Sequence, residues 1–150
     1  MTKKLYLFIC VIAGMAMMQS CTKEVESSAS VSDQTLSRMS QSSNDFVYLA
    51  SSASTMSSFR VRMNSVAAKA YQNGERVNFP ANSMFVKEKL GSDGQVTAYD
   101  IMYRSSADPH SSNGWVWTET DSHGDVTYGS ENKGASCQNC HASTGFSSRF

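Results

Sequence analysis

The sequence predicts an α+β domain, N-terminal helices packed on a mainly antiparallel β-sheet, and three observations carry that prediction. Apolar residues recur at helical spacing between Phe46 and Ala70. Beyond Pro80 the composition turns to Val, Ile, Thr, Tyr and Trp in short runs. Turn chemistry at Gly91-Ser92-Asp93-Gly94 separates two such runs, the pattern of a hairpin. Two helices with an antiparallel sheet make an α+β fold.

The chain opens with Lys3 and Lys4, continues through an apolar stretch from Leu5 to Met18, and reaches Met18-Gln19-Ser20-Cys21. This is the anatomy of a secretory signal over residues 1–20. The apolar run is shorter than the ~20 residues that a membrane span needs. Its end resembles a bacterial lipobox, which implies cleavage before Cys21 and lipidation of that residue, while Cys10 leaves with the signal. Loss of Lys3 and Lys4 leaves eleven basic residues against thirteen acidic ones, a formal charge near minus two, which gives no footprint for nucleic acid. Residues 21–44 are rich in Ser, Thr and Glu with isolated apolar positions, a composition expected to form a flexible tether. Residues 45–150 are then the folded domain.

Within that domain a first helical stripe runs through Phe46, Leu49, Ala50 and Ala53, and a second through Phe59, Met63, Val66 and Ala70. Asn73-Gly74 supplies a stop. Strands follow at Met84–Leu90 and 95–104, then a loop from Ser105 to Asn113 containing Pro109. A further strand at Trp115-Val116-Trp117-Thr118 runs into the turn Asp121-Ser122-His123-Gly124.

Near the C-terminus stands Cys137-Gln138-Asn139-Cys140-His141. C-x-x-C-H is the spacing that fastens a haem covalently: two thiols three residues apart bind the porphyrin, and the adjacent imidazole reaches the iron. The sequence thus predicts one c-type haem (iron) held by Cys137 and Cys140, with His141 as the proximal metal ligand. A zinc site would need a second ligand pair, and the only other cysteines are Cys10 and Cys21. Covalent haem attachment takes place outside the bacterial inner membrane, so signal and motif agree on a lipid-anchored protein at the periplasmic side of a membrane. A domain of this size gains much of its apolar burial from such a cofactor, so the apo-protein is expected to fold poorly.

Only nine residues follow His141, none of them Met, which argues against the small electron carriers whose methionine ligand comes far downstream. The segments between Pro80 and Gly129 do not read as helices of a four-helix cytochrome c prime. Phe79-Pro80, Met84-Phe85-Val86-Lys87-Glu88, Ile101-Met102-Tyr103-Arg104, Gly114-Trp115-Val116-Trp117, the haem motif and Phe150 together resemble the cytochrome P-460 family and its cytochrome c prime-beta relatives, over roughly residues 75–150.

That resemblance implies a five-coordinate iron open to a small-molecule or gas ligand, a periplasmic redox partner, a homodimer, and either hydroxylamine oxidation or nitric oxide binding. Lys87 falls where the family's haem-cross-linking lysine lies; read from the residues alone, it is a solvated strand lysine beside Glu88 and Lys89. Strand alternation puts Phe85 on the same face as Lys87, as an apolar wall of one pocket. The family's hydroxylamine oxidisers use a distal carboxylate as proton acceptor. Glu131, ten residues before His141, is the candidate, and its alternative is a solvated loop carboxylate. The segment after His141 lacks the family's usual acidic residue. The competing function is a tethered electron-transfer cytochrome with six-coordinate iron, for which Met84, Met102, His110 and His123 are the available ligands.

Overall fold

Six strands form one antiparallel sheet whose spatial order follows the chain, β1-β2-β3-β4-β5-β6. The computed structural model describes residues 30–42, 44–49, 58–75 and 78–141. The signal, Cys21, the first part of the tether, Ala50, Ala53 and everything after His141, Phe150 included, lie outside the described residues. The elements are α1 (Asp33–Gln41), β1 (Phe46–Tyr48), β2 (Phe59–Asn64), α2 (Ser65–Gln72), β3 (Met84–Leu90), β4 (Val96–Arg104), β5 (Trp115–Asp121), β6 (Val126–Tyr128), a 3-10 turn (Ser130–Asn132) and α3 (Ala135–His141).

The strand register divides the core in two. Phe85 pairs with Met102 and Met102 with Trp117, while Val86 pairs with Ile101 and Ile101 with Thr118. Successive side chains of a strand point to opposite faces, so each row lines one face. On one face Leu36 of α1 packs with Met84, Val86, Ile101 and Val116. On the other, Phe85, Met102, Trp115 and Trp117 join Val61, Met63, Phe79 and the α2 alanines Ala67 and Ala68.

Two expected helical stripes are corrected. Phe46 belongs to β1, and Phe59 and Met63 belong to β2, so only Val66 and Ala70 of the second stripe are helical. The reason is geometric: residues i and i+4 share a face of a strand as well as a helix, and Phe59-Arg60-Val61-Arg62-Met63 alternates apolar with charged. Helix α2 begins where Asn64 caps it, its side chain accepting from the Ala67 amide at 3.0 Å.

The segment read as tether contains α1. Ser32 caps this helix, accepting from the Thr35 amide at 3.2 Å, and Leu36 is its fully buried anchor. Ser37 and Ser40 are buried too, and each is satisfied, Ser37 by donating to the Gly124 carbonyl and Ser40 to the Ser37 carbonyl. The chain before the helix is pinned as well, the Val31 amide donating to Asp108 Oδ2 at 2.8 Å.

Candidate functional site

A cavity of about 260 Å³ opens between the sheet and α3. Its sheet side is built from Phe85 and Lys87 of β3, Met102 of β4 and Trp117 of β5; Ser136, Cys137 and His141 of α3 close the other side. The structure therefore brings together Phe85, Lys87, Met102, Cys137 and His141, all singled out in the sequence. Cys140 lies on the same helix, and its side chain is outside the described part.

A seven-residue helix has little stability of its own, so α3 depends on docking. Lys133 and Gly134, at φ 50° and 63°, turn the chain into it. A Cβ on Gly134 would collide with the Trp117 indole, so glycine is what permits the helix start to lie flat on that ring. At its other end the His141 ring stands 5.3 Å from the Trp117 ring, tilted by 47°. Cys137 packs between these contacts against the aromatic core. Burial pushes the Cys137 thiol pKa up against a Ser136 contact that lowers it, and the charges of Glu119 and Asp100 add to the rise, so the group is a thiol at neutral pH. The Trp117 indole N–H is buried and has no hydrogen-bond partner among the described residues.

Lys87 is half-buried, its ammonium 4.5 Å from the centre of the Phe59 ring. Its neighbour Glu88 points to the opposite face, where it is buried against Arg60 and Arg62. Glu131 does not line the cavity. It is exposed on the 3-10 turn, its carboxylate accepting from Asn132 Nδ2 at 3.4 Å.

The carboxylates that do line the cavity are Asp100 and Glu119, which sequence reasoning passed over. Lys89 Nζ lies 2.6 Å from Asp100 and 3.4 Å from Glu119. Partial burial opposes the Lys89 charge, and the two carboxylates outweigh it, raising its pKa above the ordinary lysine value. A usable signal was present: Asp100 stands two residues before Met102, and Glu119 two after Trp117, so both share the cavity face.

Of the four sixth-ligand candidates, Met102 lines the cavity. Met84 packs on the opposite face, His110 sits in the β4–β5 loop with Nδ1 3.2 Å from Ser130 Oγ, and His123 is exposed in the β5–β6 turn. Among the described residues no group of three His, Cys, Asp or Glu is placed to hold a metal ion, and no helix is long and apolar enough to cross a membrane. No protein-family model matches the chain, and no curated protein matches it.

Proposed function

We propose that the chain is a lipid-anchored, periplasmic mono-haem c-type cytochrome of the P-460 type, which binds or oxidises small nitrogen compounds such as nitric oxide or hydroxylamine at an open haem iron. The observation that carries this reading is the position of α3, whose motif residues Cys137 and His141 line one side of a cavity that has Phe85 and Lys87 on the other.

The residues present suit such a group. Phe85, Met102 and Trp117 offer an apolar floor, and the Trp117 N–H, without a partner among the described residues, offers a donor in a place where buried donors ordinarily have acceptors. Cys137 and Cys140 would hold the haem and His141 its iron, and the haem would supply the redox-active centre that exchanges electrons with a periplasmic partner. The protein's own part is to exclude water with its aromatic floor and to accept protons. Oxidation of N–H and O–H bonds releases protons, and Asp100 and Glu119, rather than Glu131, have carboxylate oxygens at the cavity to take them.

The reduced, purified full chain is expected to show a high-spin spectrum that changes on addition of nitric oxide, with a long-wavelength Soret band if Lys87 is bonded to the haem. A low-spin, six-coordinate spectrum indifferent to nitric oxide would overturn the open-site reading. It would leave the electron carrier, for which Met102 is the candidate ligand that lines the cavity.

The lipid anchor belongs to the same proposal. Because Val31 is tied to Asp108, Cys21 stands ten residues from the folded body, at most about 36 Å of extended chain. Cys21→Ser is expected to abolish both acylation and removal of residues 1–20; a variant that still sediments with membranes and still loses those twenty residues would place the anchor elsewhere.

A further inference from the structure

We infer that Gln138, the residue after the first cysteine of the haem motif, is the positioning residue that fixes the separation between α3 and the Phe85–Lys87 wall. The inference rests on the haem reading above.

Gln138 bonds away from its own helix in three directions. Its Nε2 donates to Ser112 Oγ at 2.6 Å and to the Lys133 carbonyl at 2.6 Å, and its Oε1 accepts from Asn113 Nδ2 at 3.3 Å. Lys133 lies in the turn before α3, whereas Ser112 and Asn113 lie in the β4–β5 loop. That loop is itself held. The Ser112 amide donates to the Trp115 carbonyl at 2.8 Å and the Trp115 amide returns a bond to Ser112 at 3.0 Å. The Asn113 carbonyl accepts from Arg104 Nη1 at 2.9 Å. Trp115 in turn stands edge-on to Phe85, ring centres 6.0 Å apart. The path from Gln138 through Ser112 and Trp115 therefore ends at the cavity wall opposite the helix.

Both attachment cysteines and the proximal histidine sit on α3, so anything bonded to them moves with the helix. The turn at Lys133-Gly134, with two consecutive left-handed residues, is the hinge about which that helix would swing if the Gln138 amide were removed. A wall distance set by the two bonds from Gln138 to Ser112 and Asn113 is a preorganised pocket, and loosening it lowers affinity for a ligand that must fit between iron and wall.

The test uses the haem-loaded full chain with Gln138→Ala, Ser112→Ala and the double variant, read by haem stain, reduced spectrum and nitric oxide titration. The expected result is that all three keep the stain, that each single variant shifts the spectrum and weakens nitric oxide binding by about tenfold, and that the double variant is no weaker than the worse single one. A stained Gln138→Ala protein with unaltered spectrum and nitric oxide affinity overturns the inference, as does a wild-type-like Ser112→Ala. If Gln138→Ala fails to fold, Ser112→Ala decides alone. An unstained wild type overturns the haem reading, and this inference with it.

Discussion

Glu88→Ala is expected to destabilise the fold by about 3–5 kcal/mol, a large share of the 5–15 kcal/mol typical of a domain. Glu88 is 3 % exposed. Its Oε1 stands 2.8 Å from Arg62 Nε and its Oε2 2.8 Å from Arg60 Nη2, and the Tyr48 hydroxyl donates to Oε2 at 3.3 Å. Arg62 is 6 % exposed, donates through Nη2 to the Ser40 carbonyl, and has the Phe46 ring 4.8 Å away. Without the carboxylate, Arg62 becomes a largely buried charge with no counter-ion among the described residues. Arg60 is different, its side chain 37 % exposed. Arg60→Ala should therefore cost about 1 kcal/mol or less, since solvent screens the charge it contributes. Urea unfolding of the two variants measures the contrast, and equal losses would show that burial does not set the cost.

The central hairpin was legible because a Gly-Ser-Asp-Gly turn separates Met84–Leu90 from a run to Arg104 that is rich in Val, Thr, Tyr and Ile. The result is an antiparallel sheet with a few helices. Phe59 and Met63 were not legible as strand residues, because four-residue spacing satisfies both periodicities and only the intervening Arg60 and Arg62 break the tie. Helix α1 was hidden for another reason. It stands on one leucine and two buried serines whose hydroxyls are satisfied by carbonyls, and composition records neither the packing nor the bonds. The site divides in the same way. Phe85 and Lys87 are two residues apart on one strand, so their common face follows from local spacing. Asp100 and Glu119 reach the cavity through the pairing of β3, β4 and β5, and their closeness to Lys89 depends on register across three strands. Glu131 was chosen by distance along the chain from His141, which carries no information about the side of the sheet on which a turn residue falls.

Cys137→Ala combined with Cys140→Ala is expected to abolish haem staining on a denaturing gel, because the stain survives denaturation only where a covalent bond holds the cofactor. Either single variant should stain weakly through its remaining thiol. The double variant also separates two views of what the cofactor does for the fold. From size alone the apo-protein is expected to fold poorly. The structure divides that expectation by face. The cluster around Leu36, Met84, Val86, Ile101 and Val116 packs on the other face of the sheet, and of these five residues only Ile101 also lines the cavity. By contrast α3 is seven residues long and docks on Trp117, beside the cavity. The double variant should therefore keep its strand signal in far-ultraviolet circular dichroism while amides of residues 135–141 lose protection from hydrogen exchange. Loss of the strand signal along with the stain would show that the sheet depends on the cofactor, and a stain that persists in the double variant would sink the assignment of Cys137 and Cys140.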